Sequence, residues 1–531
     1  MKKIGLFIAL ALAAEFAWSD GAAPSPTRPN IIVILCDDMG FSDIGCYGSE
    51  IPTPNLDKLA AGGLRFTQFY NTGRCCPTRA ALMTGLYSHQ AGVGHMMEDR
   101  GVDGYRGDLS KTCVTIPEVL KPAGYATYMV GKWHVTKFVD ATPEQKFNWP
   151  LQRGYEKYFG IIAGAGNYFH PNSLTRDNER ITAPDGFYTT DGFVDNAISF
   201  IKSGPADKPF FLYVAFNAPH FPLMAPQDEI AKFRGKYKIG WDKLREQRNA
   251  KQIEMGVVDK AWALSPRPPD VKEWDSLTPE QQDHFDHIMA IYAACVAHVD
   301  TAVGRLVAAL KERGALDNTL IFFLSDNGGN AESGPAGRLE GNLPGGPDST
   351  VFCGQSWATL ENTPFRRYKH FNHEGGISTP LIAHWPAKIK DAGALRQQPG
   401  HLIDIMATCV DLSGAKYPAE FSGNKIQPME GRSLAPAFDN KPIERDAIFW
   451  EHEGNAAVRV GDWKLVRLGR TGPWELYNMK ADRTELHDLS AQEPGRAKEL
   501  EAKWEEWAKR ANVIPYPSEG KKAAKKKAQG K

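Results

Sequence analysis

The sequence predicts an α/β fold: a large mixed, mostly parallel sheet between helices, followed by a small C-terminal antiparallel sheet with one helix. Short continuous apolar runs such as 30–36 (NIIVILC) and 209–216 (PFFLYVAF) are typical of strands buried on both faces. These runs alternate with segments of helical periodicity, of which 282–314 is the longest. Beyond about residue 440, short strands follow one another with only turns between them. This order of elements predicts an α/β layered domain with a smaller appendage.

The individual elements are predicted in chain order. The predicted strands of the large sheet are 30–36, 64–70, 126–131, 209–216, 319–324 and 381–385. The predicted helices around it are 57–62, 77–87, 116–120, 282–314 and 402–412. The small sheet is predicted from strands 447–450, 456–460, 463–468 and 475–478, with a final helix at 496–511. Residues 225–280 are polar and punctuated by proline, and we expect them to form an excursion over the surface or a lid.

Four parts are predicted along the chain. Residues 1–19 have the pattern of a signal peptide, because Lys2 and Lys3 precede a short apolar run that ends near small residues. An α/β domain at 28–440 and an α+β subdomain at 441–515 follow, and 519–531 is a lysine-rich tail that we expect to be disordered. The apolar run is too short for a comfortable membrane span, so we expect an exported protein, periplasmic or secreted, with no membrane span. A buried N-terminal helix and an anion-binding tail are the alternatives.

Composition excludes several classes of protein. The chain has 531 residues, of which 42% are hydrophobic and 24% charged, and this balance excludes a disordered or collagen-like chain. The 63 basic and 63 acidic residues cancel, and with the basic tail set aside the body is mildly acidic, which argues against nucleic acid as a partner. Eight cysteines are too few for a disulfide scaffold, although export permits a disulfide or two, with no pairing indicated.

Polar residues follow four of the predicted strands, where ligands bind in open α/β sheets. These segments are Asp37-Asp38, Gly131-Lys132-Trp133-His134, Asn217-Ala218-Pro219-His220 and Ser325-Asp326-Asn327-Gly328-Gly329. Taken singly, an aspartate pair is more often a turn or a helix cap, Asp-Asn-Gly-Gly a turn, and a lone histidine a surface or core residue. Together they supply three carboxylates and an amide oxygen, a ligand set suited to Ca²⁺ or Mg²⁺. The nearby lysines and histidines favour an anionic substrate.

Cys75 lies directly before a predicted helix whose first turn holds Pro77, with Arg79 further along. A group at this position feels the positive end of the helix and its free N–H groups, which stabilise a negative oxygen or sulfur. A vicinal disulfide between Cys75 and Cys76 and a plain thiol nucleophile are the alternatives.

The segment from Cys75 to Gly85 (CCPTRAALMTG) resembles the signature of sulfatases, formylglycine-dependent enzymes of the arylsulfatase type in the alkaline phosphatase-like superfamily. Further segments match the family's order: CDDMG at 36–40, GKWH at 131–134, APH at 218–220, DNG at 326–328, TPFRRYK at 363–369 and HEGG at 373–376. The resemblance covers roughly residues 28 to 515. It implies the alkaline phosphatase-like fold for residues 28–440.

The resemblance also implies roles for individual residues. Cys75 would be converted to Cα-formylglycine (3-oxoalanine) by a formylglycine-generating or anaerobic maturation enzyme. One Ca²⁺ per chain would be held by Asp37, Asp38, Asp326 and Asn327, with the modified Cys75 also touching it. Arg79 and Lys132 would steady the modified residue, and His134 would hydrogen-bond to it. Lys369 and His220 would grip the sulfate, and either could protonate the leaving oxygen.

Three functions are compatible with this pattern. The resemblance implies a sulfuric ester hydrolase acting on aryl or carbohydrate sulfates. The first alternative is a phosphonate monoester or phosphodiester hydrolase on the same scaffold, and the second is a sulfated-glycan binding protein with a dead site. Aromatic residues in the predicted loops could stack on a substrate ring or stand solvated; they are Tyr105, Tyr168, Phe169, Trp241, Trp274 and Trp357.

Overall fold

The computed structural model describes residues 28–517. The signal peptide predicted for 1–19 and the basic tail predicted for 519–531 lie outside the described residues.

The described residues form strands and helices whose bounds are as follows. The strands are β1 Asn30–Cys36, β2 Leu64–Tyr70, β3 Ala126–Lys132, β4 Lys157–Ile161, β5 Leu174–Arg176, β6 Glu179–Arg180, β7 Phe210–Ala215, β8 Thr319–Ser325, β9 Arg338–Glu340, β10 Thr350–Phe352, β11 Ser378–His384, β12 Leu395–Arg396, β13 Gly400–His401, β14 Glu420–Phe421, β15 Asn424–Lys425, β16 Ile448–His452, β17 Asn455–Val460, β18 Trp463–Arg467 and β19 Trp474–Asn478. The α-helices are α1 Pro54–Ala61, α2 Cys75–Thr84, α3 Ile116–Leu120, α4 Thr189–Ser203, α5 Gln227–Ala231, α6 Trp241–Glu254, α7 Pro279–Glu312, α8 Gly354–Glu361, α9 Glu374–Ile377, α10 Asp404–Ser413, α11 Ala435–Phe438 and α12 Pro494–Arg510.

The large sheet is mixed and mostly parallel, as the sequence predicts. Its strand order is β12-β2-β11-β8-β1-β7-β3-β4-β5-β6, and β13 also pairs with β2. Strands β8, β1, β7, β3 and β4 are mutually parallel. Strand β11 is antiparallel to both β8 and β2, so β2 runs in the same direction as the central strands.

Side chains of β1 alternate between two cores, one on each face of the sheet. Ile32 and Ile34 join the core that contains the long helix α7, whereas Ile31, Val33 and Leu35 join the core that contains α2 and α10. A strand buried on both faces must be apolar at every position, and this explains the continuous run NIIVILC. The central sheet is therefore rigidly packed, and its carboxyl edge is a fixed platform.

The C-terminal strands β16, β17, β18 and β19 form an antiparallel four-stranded sheet in that order. Helix α12 packs on it through Trp504 and Trp507. Trp450 of β16 donates a hydrogen bond to the backbone oxygen of Asn71, so the small sheet is tied to the chain just before α2.

The sequence predicts most of these elements to within a few residues, and the differences have local causes. The helix predicted over 77–87 begins at Cys75 and ends at Thr84, because Gly85 adopts a left-handed conformation (φ 67°) and caps it. The long helix begins at Pro279, since Thr278 and Gln281 form a capping box there. Strand β4 and the helices α4, α6 and α8 are absent from the prediction, as are the shorter elements outside the predicted ranges, and the sequence of α4 looks polar because only one face of the helix is buried.

The expectations for the loops are partly wrong. Residues 225–280 contain the regular helix α6, whose Arg248 and Gln252 are buried, so the segment packs onto the domain rather than lying loosely over it. Five of the six candidate loop aromatics are at most 3% exposed: Tyr105, Tyr168, Trp241, Trp274 and Trp357. They are core residues, neither solvated nor free to stack on a substrate ring, and only Phe169 is half-buried.

One helix among the described residues, α7, is long and apolar enough to cross a membrane by length and composition. Within the fold, 61% of that stretch is buried, as expected of a core helix. All eight cysteines are buried with free thiols, so the disulfide that export permits is not formed here. Cys36, Cys295 and Cys409 lie within the hydrophobic cores.

Candidate active site

The sheet topology brings every sequence-predicted site residue to one edge. Strands β1, β3, β7 and β8 are parallel, so the residues that follow them emerge together at the carboxyl edge. Strand β2 ends at the same edge and leads into α2, which begins at Cys75. Strand β11 runs the other way and starts there, which places Lys369, a few residues upstream of it, among the same groups.

Three carboxylates and an amide meet at the centre of this edge. The amide nitrogen of Asn327 donates to Asp38 Oδ1 at 2.7 Å, and the backbone N–H of Asp38 donates to Asp326 Oδ1 at 3.2 Å. Asp37, Asp38, Asp326 and Asn327 are all at most 1% exposed. Asp38 has a left-handed backbone (φ 65°), a conformation uncommon outside glycine and one that marks many functional sites.

Three cations surround the carboxylates. Lys132 Nζ lies 2.5 Å from Asp37 Oδ2, and Arg79 Nη2 lies 2.7 Å from Asp326 Oδ2 and 3.5 Å from Asp37 Oδ2. Lys369 Nζ lies 2.8 Å from Asp38 Oδ1. Since removing these charges from water is costly, their close pairing is what allows them to be buried together.

Cys75 occupies the first position of α2, and its side chain lies beside those of Cys76 and His134. Its Sγ lies within 4.8 Å of ligand atoms of Cys76 and His134. A hydrogen bond from Cys76 is the largest factor that holds the pKa of Cys75 well below its usual value, with Lys132 and His134 adding to it against burial. A negative charge at the end of this side chain is thus stabilised, both by these groups and by the N-terminus of α2.

Two histidines complete the edge. Burial lowers the pKa of His134 to about 4 and that of His220 to about 4, so both rings are neutral near pH 7. His220 Nδ1 donates to the backbone oxygen of Phe221 at 2.6 Å, which leaves Nε2 as the unprotonated nitrogen, 3.6 Å from Asp38 Oδ2. His134 also has a left-handed backbone (φ 53°), and its Nδ1 has no hydrogen-bond partner.

The carboxylates titrate differently from one another. Burial, and then the charge of Asp37, raises the pKa of Asp326 well above its usual value. Burial also acts to raise the pKa of Asp38, but the charges that face it, that of Lys369 among them, outweigh burial, and the pKa falls below the usual value. The protein's own cations therefore stabilise Asp38 as an anion but only incompletely stabilise Asp326.

The donor set fits a hard divalent cation. Asp37 Oδ1 and Asn327 Oδ1 are buried oxygens that accept no hydrogen bond in the described structure. Unpaired buried acceptors are costly, and a cation bound by oxygen would satisfy them. Carboxylate and amide oxygens with no thiolate favour Ca²⁺ or Mg²⁺ over a transition metal.

The structure adds residues that sequence reasoning misses. Asn330 Nδ2 donates to Asp38 Oδ2 at 2.7 Å. Glu332 lies 2.8 Å from Arg74 and 4.0 Å from Lys369. Thr78 donates to the backbone oxygen of Asp326 at 2.6 Å. The available signal was proximity in sequence, since each lies within a few residues of Cys75 or Asp326.

Comparison with known proteins agrees with this geometry. The family model described as sulfatase matches residues 29–415. A second model, described as N-sulphoglucosamine sulphohydrolase, C-terminal, matches residues 366–510. The two matches together span nearly all of the described chain.

Individual relatives give the same result. An arylsulfatase of Klebsiella aerogenes is 35% identical, over 80% of this chain and 96% of the relative. A protein named an uncharacterized sulfatase of Schizosaccharomyces pombe is 32% identical, over 93% of this chain and 95% of the relative. The crystal structure of Ps i-CgsB in complex with k-i-k-neocarrahexaose superposes with a TM-score of 0.68 at 28% identity, over 92% of this chain and 94% of that one.

Proposed function

The chain belongs to the sulfatase family and hydrolyses sulfate esters, and we propose that it does so as an arylsulfatase-type enzyme with Cα-formylglycine at position 75 and one bound Ca²⁺. We propose aryl or carbohydrate sulfates as its substrates. The 35% identity to an arylsulfatase over most of both chains supports the aryl class.

A single observation carries the proposal. Cys75 begins α2 at the same buried edge where Asp37 and Asn327 each keep an acceptor oxygen without a hydrogen-bond partner. Unpaired acceptors are costly in a buried cluster that has only a structural role, whereas a cation site requires oxygens that are free to bind the ion. An activated group at the start of the helix and a cation beside it are the two requirements of sulfate ester hydrolysis by the proposed route.

Each absent group would supply one kind of chemistry. The cation, held by Asp37, Asp38, Asp326 and Asn327, would stabilise negative charge on the sulfuryl oxygens and lower the pKa of a nearby hydroxyl. The hydrated aldehyde at position 75 would supply one hydroxyl as nucleophile and a second that allows sulfate to leave.

The chain's own residues bind, orient and move protons. Lys132 and Arg79 hold Asp37 and Asp326 in place through contacts of 2.5 Å and 2.7 Å, and they leave positive charge next to position 75. His134, kept neutral by burial, can accept a proton from a group at position 75.

Lys369 and His220 lie on the Asp38 side of the site, where the sulfate group would bind. Lys369 offers a buried ammonium group, 1% exposed, to the sulfate oxygens. His220 Nε2 carries no proton in the neutral ring, so it can take one up when a negatively charged ester binds and pass it to the leaving oxygen. Either group is thus placed to act as the general acid.

Side-by-side kinetics test the proposal. Protein made in a host that matures sulfatases, saturated with Ca²⁺, is assayed on 4-nitrophenyl sulfate and on an aryl phosphonate monoester. We expect a kcat/KM for the sulfate that exceeds the phosphonate value by at least about ten-fold, a difference of roughly 1.4 kcal/mol. A preference for the phosphonate would favour the phosphonate hydrolase alternative, and binding of sulfated glycans without turnover of any sulfate ester would favour the binding protein.

We also propose that the protein is exported and that a maturation enzyme modifies Cys75. The lysines and apolar run of residues 1–19 support export. N-terminal sequencing of the protein recovered from the periplasm or the medium tests it. The proposal predicts a start near Asp20, and recovery of the protein with Met1 intact from the cytoplasm would contradict it.

A further inference from the structure

A cluster of histidines around Glu453 lies apart from the carboxylate centre. Glu453 sits in the tight turn between β16 and β17, with a left-handed backbone (φ 53°), and His452 precedes it as the last residue of β16. His370 comes from the loop before β11, and His95 from the loop after α2. Three separate segments of backbone thus bring three imidazoles to one carboxylate.

The distances match those between the ligands of one metal ion. His370 Nδ1 lies 2.9 Å from Glu453 Oε2, His95 Nε2 lies 3.4 Å from Oε1, and His452 Nε2 lies 3.7 Å from Oε1. Ligand atoms of His370, His452 and Glu453 all lie within 4.8 Å of one another. In a tetrahedral zinc site with bonds of about 2.0–2.1 Å, neighbouring ligand atoms are separated by roughly 3.3 Å.

The side chain of His452 gives independent evidence for a bound ligand. Its side chain is fully buried, yet neither ring nitrogen has a hydrogen-bond partner in the described structure. Buried imidazoles normally pair at least one nitrogen, because an unpaired buried polar group is costly.

His370 has the supporting contact common among metal-bound histidines. While its Nδ1 faces Glu453, its Nε2 lies 2.9 Å from Glu332 Oε1 and also contacts Arg74. A carboxylate on the second nitrogen of a histidine fixes the ring orientation and raises its basicity as a ligand. Glu332 is itself paired with Arg74 at 2.8 Å.

We propose that His370, His452 and Glu453, with His95 as a fourth ligand, form a binding site for a divalent transition metal ion of the zinc type. Imidazole ligands select such ions over Ca²⁺ and Mg²⁺, which prefer all-oxygen sets like the one at Asp37 and Asp38. The chain would thus carry two chemically different cation sites, and this second site does not depend on the proposed function.

The site lies at the rim of the active centre. Glu332, which supports His370, is 4.0 Å from Lys369, and Arg74 directly precedes Cys75. A bound ion would add positive charge near Lys369, which we expect to bind the sulfate group.

Cobalt titration tests the site, because Co²⁺ replaces Zn²⁺ and absorbs visible light when bound by imidazole and carboxylate. The full protein is stripped of metal, saturated with Ca²⁺ and titrated with Co²⁺. We expect one equivalent to give a visible absorption band that Zn²⁺ abolishes. His370→Ala and Glu453→Gln should each weaken Co²⁺ binding by at least about ten-fold, and both side chains are partly exposed, at 26% and 34%, so the fold should tolerate them.

The control variant is His487→Ala, which removes a histidine that is 75% exposed and lies beside a single aspartate, Asp482. It should bind Co²⁺ as tightly as the wild type. The proposal is overturned if the Ca²⁺-saturated protein gives no visible band, or if both variants keep wild-type Co²⁺ affinity. A thiolate-to-cobalt band in the near ultraviolet that disappears in Cys75→Ser would also overturn it, since the ion would then sit at Cys75, Cys76 and His134.

Discussion

One cluster of buried charge lies at the carboxyl edge of the large sheet that carries Asp37, Asp38 and Asp326, which we call the active edge, and another lies where the two sheets meet. The second cluster, which we call the junction cluster, consists of Glu374, Lys464, Arg483 and Glu485, all at most 1% exposed. It joins the segment before β11 to β18 and to the loop after β19. Both clusters bury carboxylates with basic side chains, yet they differ in how completely the groups pair.

Every carboxylate oxygen of the junction cluster faces a charged or N–H partner, although Glu485 Oε1 meets the Lys464 ammonium as an ion pair without a hydrogen bond. Lys464 Nζ lies 2.8 Å from Glu374 Oε1 and 2.8 Å from Glu485 Oε1. Glu374 Oε2 accepts from Arg483 at 2.8 Å and from Tyr70 at 3.0 Å, so both of its oxygens are paired. Such a cluster fixes the geometry of the interface, and breaking it leaves an uncompensated buried charge.

The active edge stays open in comparison. Asp37 Oδ1 and Asn327 Oδ1 accept nothing, although the carboxylates and cations around them are equally buried. The contrast teaches that burial of charge does not itself mark a functional site; unpaired acceptors beside a reactive side chain do. Changes at the active edge should therefore cost activity, and changes at the junction cluster should cost stability.

Replacing Cys75 should give the largest effect. Cys75→Ala removes the group that we expect to become the nucleophile, so kcat on 4-nitrophenyl sulfate should fall by at least about 10⁴-fold. The unfolding temperature should change little, since the side chain is small. Cys409→Ala, a fully buried cysteine in α10, is the matched control and should retain kcat. Equal losses of kcat in the two variants would contradict the assignment of Cys75 as the nucleophile.

Glu374→Gln tests the junction cluster. The substitution leaves Lys464 and Arg483 short of a partner, so the free energy of unfolding should fall by about 3–5 kcal/mol. Urea denaturation measures it, with Glu332→Gln as the control. Glu332 is 27% exposed, and exposed pairs contribute no more than about 1 kcal/mol. A Glu374 variant as stable as its control would contradict the structural role.

Two equally buried lysines sharpen the comparison. Lys369→Gln should lower kcat by about 10²–10³-fold, the effect of removing one group that stabilises transition-state charge. Lys464→Gln should instead lower stability and leave kcat of the folded fraction near the wild-type value. The two variants are compared in kcat and in unfolding midpoint. An exchange of these outcomes would show that the assignment of the two clusters is reversed.

Calcium should stabilise the protein through the active edge alone. At a concentration about 100 times its dissociation constant, a bound ion adds about 2.7 kcal/mol to the free energy of unfolding. Asp37→Asn should abolish most of this gain, as measured by thermal unfolding with Ca²⁺ or with chelator. Asp300→Asn is the control, because that buried carboxylate caps the start of α1 through Asn55 and Leu56. The same calcium shift in both variants would exclude Asp37 as a ligand.

Acid should give the smallest effect. Burial acts to raise the pKa of Glu374, but Lys464 and Arg483 outweigh it and lower that pKa to about 2. A pKa lowered in the folded state means that the stabilisation is complete above the unfolded pKa of about 4.5 and is lost as the pH falls towards 2. By pH 4 the loss should be only about 1 kcal/mol. Glu374→Gln should lack this part of the pH dependence, and an unchanged profile would contradict it.

The sequence predicts the active edge better than the junction cluster, for a physical reason. Asp37, Asp326 and His220 each follow an apolar strand directly, so local pattern and parallel topology suffice to bring them together. Glu374 meets Arg483 across 109 positions of chain, in a contact set by how the two sheets pack. No local pattern encodes such a contact.

The loop aromatics show the same limit. Trp241 and Trp274 lie in polar sequence, and their burial follows from the packing of α6 beside α8 and from the contacts of both rings with Phe285. The residue pattern of a polar helix such as α6 does not show that its tryptophan is buried. Asn330, whose side chain contacts Asp38, is missed because it lies beyond the residues that directly follow strand β8.

The mass of the tryptic peptide 75–79 (CCPTR) tests the central proposal most directly. The protein comes from a host that matures sulfatases, and free thiols are alkylated before digestion. We predict the mass in which an aldehyde replaces the CH₂SH group of Cys75, with one alkylated thiol left on Cys76. Two alkylated thiols, or a disulfide between Cys75 and Cys76, would contradict the assignment of Cys75 as the modified nucleophile.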